Sequence, residues 1–475
     1  MIEKYYSGVI EQIYNRIGKE TRNIVMANYS NDFSIENLEV IRRYQSNEDN
    51  VFFAYSEFSY NTLVGAYEPF LDIICNMHRR FIGGSFDDFQ KECGVYYLHR
   101  QVLNSYYETG ECFREETVLL NEVAYEQRRM TMAIADMLKK LSEVKPLMIV
   151  INRFQMASKS SIETIKYLID NPCANIGIVL GVNAIVKGTD STVEVWDRIV
   201  ESLEDRSAIY YIGSAGPLKN NVKTTNDDEL YITMNFEQSI QEASNIMEFL
   251  DFEQARRGCR IIEHKLKFED AWIDEKSLRR FYMVYARTSV LLGEMSKAIE
   301  LTNEYKALIP ENDSEHYLSL YYFMKGTCYM YQGKLEKAGN SAKSAYDYAV
   351  LAEDDTLIFK AELLSVMIKM SGWYNIFFCV QDIPVSDEII EKLIKHGYRN
   401  HLAHIYIYAY DNSRDVVKQS FYDESLLKHF TKGLELAKEI GNEQLVYDAY
   451  QKTIMLASTS GLNEIAFLYV IRNTR

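Results

Sequence analysis

This chain lacks several features that mark other classes of protein. Proline is scarce, with 6 residues in 475, and the 7 cysteines are scattered without a single Cys-x-x-Cys pair. Unpaired cysteines argue against both a disulfide framework and a zinc ribbon. No apolar run reaches the length of a membrane-spanning helix, and the first residues lack the basic-then-apolar pattern of a signal peptide. We therefore expect a cytoplasmic protein with reduced thiols and no membrane contact.

Positive charge is also in short supply. The 52 lysines and arginines are outnumbered by 68 acidic residues, which leaves a formal net charge of -16. This balance disfavours binding to nucleic acid or to anionic lipid. The hydrophobic fraction of 47% is ordinary for a globular chain, and the length is sufficient for two to four domains.

Short apolar runs with the composition of buried strands recur through the first 235 residues. Amphipathic stretches of helical period separate them, of which the first covers Tyr5 to Ile17 and a long one runs from Leu71 to about Leu141. This alternation predicts a parallel α/β sheet. The predicted strands are Asn23–Ala27, Asn50–Tyr55, Leu147–Ile151 and Ile176–Val182, with Ala208–Ile212 and Leu230–Met234 as strands or connectors.

The run Leu147–Ile151 has the form of a nucleotide-binding strand that has lost its catalytic group. In P-loop ATPases such a strand ends in a carboxylate that holds Mg²⁺. Here it ends in Asn152 and Arg153. Asparagine is a poor substitute for a carboxylate, and an arginine would repel the metal ion.

With its neighbours, this strand makes the first half of the chain resemble the ATPase domain of STAND-class signalling NTPases, which are AAA+-related. Tyr67-Glu68-Pro69-Phe70 matches the Tyr-x-Pro-Phe motif that follows the second strand of that family. Three further positions match the order of features in that family. They are Pro146 before the strand, Ser161 near the start of the next helix and Asn183 at the tip of the sensor strand. The resemblance implies a P-loop NTPase-like sheet.

The resemblance fails where phosphate would bind. The family's first strand runs into G-x-x-x-x-G-K-[ST], whose backbone amides and lysine hold phosphate. In this sequence Asn28 and Phe33 stand at the glycine positions with Asn31 between them, Ser34 replaces the lysine, and Ile35 replaces the hydroxyl residue. The resemblance therefore implies a pseudo-ATPase core with no catalytic residues, metal or nucleotide cofactor. An unrelated α/β domain is the alternative.

A helical repeat dominates the second half. Tetratricopeptide units carry small residues at fixed positions, so that two antiparallel helices can pack closely. Two units share one frame, and ordinary helical hairpins are the alternative. Their positions are Tyr282, Ala286, Gly293, Ala298 and Pro310 in the earlier unit, and Tyr322, Gly326, Tyr329, Gly333, Ala338, Ala342 and Ala345 in the later one.

These patterns predict three parts of the chain. Residues 1–235 form a degenerate STAND-like α/β domain, residues 236–275 a helical connector, and residues 276–475 tetratricopeptide-like repeats. The last predicted helix, Glu464–Ile471, has little polar outer face. We expect it either to pack back into the array or to dock on a partner or a second copy.

Clusters of histidine and of carboxylate residues are the other candidate sites. His396, His401 and His404 contain an H-x-x-H pair, but no H-E-x-x-H motif accompanies it. Packing against nearby tyrosines is the simpler interpretation, so no metal is expected. Asp87-Asp88, Glu115-Glu116 and Glu353-Asp354-Asp355 could serve in acid–base chemistry, but we expect these carboxylates to be solvated.

Together the sequence favours a non-catalytic cytoplasmic regulator or scaffold. It would bind protein partners through its repeats, with Tyr317, Tyr321 and Tyr331 as aromatic anchors. One alternative is a divergent ATPase of the STAND class that switches on nucleotide exchange. A weaker alternative is a transcription regulator, which the overall acidity disfavours.

Overall fold

The chain folds into two units, each of which contains segments distant in sequence. The first comprises residues 1–95, 99–113 and 126–273, and the second comprises residues 96–98, 114–125 and 274–475. The structure, a computed structural model, describes residues 2–29, 38–46, 50–59, 63–116, 118–119, 122–183, 193–212, 235–268, 273–312, 314–375, 387–409, 424–459 and 461–473.

A five-stranded parallel sheet forms the centre of the first unit. The strands are β1 (Ile24–Tyr29), β2 (Phe52–Glu57), β3 (Leu147–Asn152), β4 (Ile176–Asn183) and β5 (Ile209–Ile212). Their order is β2-β3-β4-β1-β5, and every neighbouring pair is parallel. All residues of β3 and β4 are buried, as expected for apolar strands covered on both faces. The predicted α/β fold class is confirmed.

Helices surround this sheet. Those of the first unit are α1 (Ile2–Arg16), α2 (Glu39–Ser46), α3 (Phe70–Met77), α4 (Phe86–Glu92), α5 (Tyr97–Thr109), α6 (Val123–Val144), α7 (Lys159–Asp170), α8 (Val193–Glu204), α9 (Phe236–Glu248) and α10 (Phe252–Phe268), with α5 and α6 each starting in residues assigned to the second unit. Tyr6, Ile10 and Ile13 of α1 and Ile41 of α2 pack in one cluster with residues of all five strands. This apolar face explains why the helical period is so clear at the start of the sequence.

The long helical region predicted from Leu71 to Leu141 is interrupted. It divides into α3, a π-helical turn at His78–Ile82, and α4, α5 and α6. The structure shows no regular helix from Gly110 to Arg114, and residues 114–125 belong to the second unit. The stretch Leu230–Met234, expected to be a strand or a connector, lies outside the described residues.

The second unit is an array of helices in which successive neighbours pack as hairpins. Its helices are α11 (Glu275–Leu291), α12 (Met295–Ala307), α13 (Ser314–Tyr331), α14 (Leu335–Leu351), α15 (Asp355–Asn375), α16 (Asp387–Lys395), α17 (Arg399–His404), α18 (Glu424–Ile440), α19 (Glu443–Thr459) and α20 (Asn463–Asn473). Asp274 begins the array by accepting a hydrogen bond from the Ser277 N–H at 2.9 Å, which caps α11.

Small residues allow these helices to approach closely. Ala338, Ala342 and Ala345 of α14 are completely buried. A Cβ on Gly326 would lie 3.0 Å from Leu364 Cδ2 of α15 and 3.3 Å from Ser341 Cβ of α14, so a larger residue would require these side chains to shift. The turn that follows α13 contains Gly333 at φ 71°, and the equivalent turn after α11 has a glycine at φ 77°. The predicted tetratricopeptide-like solenoid is confirmed.

Candidate functional site

The carboxyl ends of parallel strands are where open α/β sheets bind ligands. In the first unit this edge is formed by Tyr29, Glu57, Asn152 and Asn183, the last residues of β1 to β4. The strand register places Tyr29 beside Asn183 and Glu57 beside Asn152. Asn152 is therefore located where the resemblance placed it, at the edge expected for a metal ligand.

Side chains of the protein itself fill the space at the end of β4. The Tyr29 hydroxyl donates a hydrogen bond of 2.6 Å to Asn152 Oδ1, reaching across from β1 to β3, and both residues are completely buried. The Tyr6 ring packs edge-on against Tyr29, with 6.5 Å between the ring centroids. A Cβ on Gly181 would lie 2.5 Å from the Tyr6 hydroxyl and 2.8 Å from Asn152 Oδ1.

Arg153 forms an internal ion pair at the same edge. Its Nη1 atom lies 3.0 Å from Glu57 Oε1, and both side chains are mostly buried. Its backbone is in the left-handed region, with φ 54°. A magnesium–nucleotide complex does not fit these residues, because an amide and a paired arginine occupy the end of β3. The remaining phosphate-loop positions, Asn31, Phe33, Ser34 and Ile35, lie outside the described residues.

The structure brings together two parts of the STAND resemblance. The Tyr67 N–H donates to Ser160 Oγ at 3.0 Å, and the Ser161 hydroxyl donates to the Glu68 carbonyl oxygen at 2.7 Å. The Tyr-x-Pro-Phe segment thus packs on the amino end of α7. Nearby, the Asn183 N–H donates to Gln155 Oε1 at 3.3 Å. These contacts order the edge of the sheet through the chain's own polar groups.

A cluster of three carboxylates lies at the same motif, with Glu68 and Glu242 partly exposed and Asp72 exposed. Glu68 Oε2 accepts a hydrogen bond from the Gly65 N–H at 2.9 Å, and a Cβ on Gly65 would lie 2.9 Å from Glu242 Oε1. Burial, together with the charges of Glu68 and Asp72, raises the pKa of Glu242 to about 7. Burial likewise raises the pKa of Glu68. No local pattern in the sequence indicates this cluster, because Glu242 is distant from Glu68 and Asp72 along the chain.

Two carboxylates of the second unit are buried and bonded to histidines. Glu116 is completely buried, and its Oε1 atom lies 2.6 Å from His401 Nδ1. It also accepts hydrogen bonds from the backbone N–H of Asn400 at 3.2 Å, from that of His401, and from the Tyr97 hydroxyl at 2.9 Å. This carboxylate therefore has four donors around it.

Glu122 lies at the centre of a second set of donors. Its Oε1 atom lies 2.9 Å from His404 Nε2 and accepts from the Asn442 amide at 2.8 Å, while Oε2 accepts from the Asn400 amide at 3.1 Å. Burial disfavours the charged carboxylate, but His404 and the two amides outweigh it and lower the pKa of Glu122 to about 2. The two carboxylates hold the segment 114–125 against α17 and the start of α19.

These contacts correct the expectation that Glu115-Glu116 is solvated. Only Glu115 is exposed. Glu116 is buried because His401, 285 residues further along the chain, and the neighbouring donors form hydrogen bonds to its oxygens. The tyrosine-packing interpretation of the histidines is also incomplete, since His401 and His404 bond to carboxylates while the His396 ring stacks on Phe359.

The predicted aromatic anchors occupy different environments. Tyr317 and Tyr331 are partly exposed, but Tyr321 is only 2% exposed to solvent. Lys325 Nζ donates to the Tyr321 hydroxyl at 2.8 Å, and Lys306 Nζ lies 5.2 Å from its ring centroid. Tyr321 is therefore a core residue, because its hydroxyl is satisfied and its ring is covered. This corrects its assignment as a surface anchor.

Tyr317 has a basic neighbour of its own. The Arg279 guanidinium lies 5.0 Å from the centroid of its ring. Together with Lys306 and Lys325 these residues define what we call the α11–α13 surface, comprising Arg279, Lys306, Tyr317 and Lys325. It combines an aromatic ring with three cations in a chain that is acidic overall.

The last helix has an apolar exposed side. Phe467 of α20 is 64% exposed and Leu468 is 59% exposed, whereas Ala466 is buried. The helix pairs with α19. It thus packs into the array on one side, and docking of the other side on a partner stays a prediction.

Comparison with known proteins gives only distant likenesses. No family model and no curated protein matches the chain. A STAND protein with a tetratricopeptide repeat sensor from Pyrococcus horikoshii matches at 13% identity and a TM-score of 0.43, covering 98% of this chain and 81% of that one. A Rap protein complexed with Competence and Sporulation Factor matches at 12% identity and a TM-score of 0.35, covering 85% and 96%. At these values neither likeness supports a function.

Among the helices that the structure describes, none is both long enough and apolar enough to cross a membrane.

Proposed function

We propose that this chain is a non-catalytic regulator or scaffold of the cytoplasm that binds a protein partner through its helical repeats. The observation that carries the proposal is the array of packed hairpins in the second unit. Solenoids of this kind present extended surfaces to which other proteins bind. The four-residue α11–α13 surface is the best candidate contact within it, because aromatic and arginine residues dominate binding energies at interfaces.

The charge of this surface defines the kind of partner. Arg279 lies over the Tyr317 ring, and Lys306 and Lys325 lie over the ring of Tyr321, four residues further along α13. A segment that carries carboxylates next to an apolar side chain would be complementary to this arrangement. Cation–carboxylate contacts at the rim would steer association, and the Tyr317 ring would supply buried area. Tyr331 is partly exposed near the end of α13 and is the second candidate anchor.

The α/β unit would then act as a pseudo-ATPase scaffold. Two contacts support this: Asn152 accepts a hydrogen bond from Tyr29, and Arg153 pairs with Glu57. The polar groups at the end of β3 are thus engaged by the chain itself. Binding of a nucleotide there would require these contacts to break.

Affinity capture from lysate tests the proposal. The full chain, its Tyr317→Ala variant and a Tyr447→Ala control would serve as baits. Tyr447 is an exposed tyrosine of α19 in the same unit. We expect a partner that the wild type and the control retain and that Tyr317→Ala loses, followed by direct binding of the purified partner. Equal capture by all three baits would contradict this surface, and measurable ATP turnover would contradict the pseudo-ATPase core.

The exposed side of α20 gives a second, separable test. If it docks on another copy of the chain, light scattering should show a dimer that a Phe467→Ser/Leu468→Ser variant loses. A monomeric wild type would exclude self-association and leave this side for a different partner.

A further inference from the structure

A pocket of about 180 Å³ lies at the amino edge of the sheet, the edge opposite Asn152. Ile24 and Val25 at the start of β1 form part of its wall, and Leu168, Ile169 and Leu203, near the ends of α7 and α8, form another part. All of these residues belong to the first unit. The pocket is therefore a feature of the α/β unit itself and is separate from the residues of the degenerate nucleotide site.

Three arginines from different segments converge on this pocket. Arg16 comes from the end of α1, Arg22 from the loop before β1, and Arg206 from the turn after α8. The lining contains one carboxylate, Glu20, whose Oε2 atom lies 3.6 Å from Arg16 Nε. Three basic residues and one acidic residue thus line one small pocket in a chain whose net charge is -16.

The arginines retain capacity for an anion. Arg206 uses Nη1 to donate to the Ile169 carbonyl oxygen at 2.5 Å, but a guanidinium group has five N–H donors. Arg22 is exposed, so its side chain can turn towards a ligand. The hydroxyl residues Thr21 and Ser207 also line the pocket and add neutral donors.

We propose that this pocket binds the phosphate group of a small phosphomonoester. Guanidinium groups match the oxygens of phosphate in bidentate pairs, and an ion with two negative charges would neutralise the excess of two positive charges. The apolar wall of Leu168, Ile169 and Leu203 would contact the organic part of the ester. Free phosphate shares the recognition chemistry but would not use that wall.

Calorimetric titration of the full chain with inorganic phosphate and with phenyl phosphate tests this inference. We expect saturable binding of both at millimolar concentration or below, with phenyl phosphate the tighter ligand. Loss of a charge-assisted hydrogen bond should weaken binding about tenfold or more in Arg22→Ala. The second variant is Arg206→Lys, which keeps the positive charge but loses the bidentate hydrogen-bonding geometry of the guanidinium group. This conservative substitution guards against a loss of binding that is caused only by misfolding.

The control is Arg128→Ala, which removes an exposed arginine of α6 that does not line the pocket. Binding should be unchanged in this variant. Equal affinity for the two ligands would assign the pocket to free phosphate and overturn the ester. The absence of binding, or binding that all the variants retain, would overturn the site.

Discussion

Glu122 of the repeat unit and Glu242 of the α/β unit are both shielded from solvent, but their pKa values are shifted in opposite directions. In the repeat unit Glu122 is surrounded by His404 and two amides, and its pKa falls to about 2. In the α/β unit Glu242 lies with Glu68 and Asp72, and its pKa rises to about 7. Burial acts in the same direction on both. The comparison teaches that the partners of a buried carboxylate, rather than its burial, decide whether it stabilises the fold.

The largest expected effect comes from removing the compensated charge. Glu122→Gln would leave His404 buried without its counter-ion, and we expect a loss of about 3 to 5 kcal/mol in the repeat unit. Hydrogen exchange of peptides from α17 and α19 would locate that loss. The matched control is Glu115→Gln, an exposed glutamate of the same segment, which should change little. Equal exchange in the two variants would show that the network is unimportant.

The same carboxylate predicts a dependence on pH. Because the folded pKa of about 2 lies below the ordinary value of 4.5, the contribution of Glu122 is fully present above pH 4.5. It is lost as the pH falls from there towards 2, and by linkage it amounts to roughly 3 kcal/mol. Glu122→Gln should lack this part of the acid dependence.

The opposite result is expected for Glu242, whose charged neighbours are the carboxylates Glu68 and Asp72. The folded pKa of Glu242 lies above 4.5, so its ionisation opposes folding at pH 8, and this cost fades as the pH falls from about 7 to 4.5. Glu242→Gln should therefore stabilise the α/β unit by about 1 to 3 kcal/mol at pH 8 and have little effect at pH 5. Denaturant unfolding at both pH values would measure this.

Glu108→Gln is the control for that experiment, because Glu108 is an exposed glutamate of α5 in the same unit. A destabilised Glu242→Gln variant at pH 8 would mean that Glu242 has a compensating partner in solution. It would remove the contrast between the two units.

The smallest effect concerns the polar edge of the sheet. Tyr29→Phe removes the hydrogen bond to Asn152 and should cost about 1 kcal/mol. Thermal unfolding compared with Tyr5→Phe, which alters an exposed tyrosine of α1, would measure the difference. No loss relative to this control would show that the Tyr29–Asn152 contact does not order the edge.

The sequence predicted the elements whose signal is local. The run Leu147–Ile151 predicts a buried strand, because consecutive apolar residues of that number need cover on both faces of a sheet. The strand in the structure is one residue longer and ends at Asn152. The frame that contains Gly326 and Ala338 was recognisable because repeat packing needs small residues at fixed spacing. Both signals lie within a short continuous stretch of sequence.

The missed features depend on distant partners. From the sequence alone, Glu116 is one of two adjacent glutamates expected on the surface, whereas in the structure it bonds to His401. Tyr321 is predicted to be an aromatic anchor for a partner, whereas in the structure Lys306 and Lys325 contact it. The pocket around Arg22 and Arg206 combines segments that are far apart in sequence, so no local pattern indicates it.

The central proposal, that the α/β core is a pseudo-ATPase that does not bind nucleotide, is tested most directly by calorimetric titration with ATP and ADP in the presence of Mg²⁺. Both the wild type and Arg22→Ala should be used, so that phosphate binding at the opposite edge is separated from binding at Asn152. We predict no saturable binding to Arg22→Ala at millimolar nucleotide. Tight binding that Arg22→Ala retains and that a substitution of Asn152 abolishes would contradict the account.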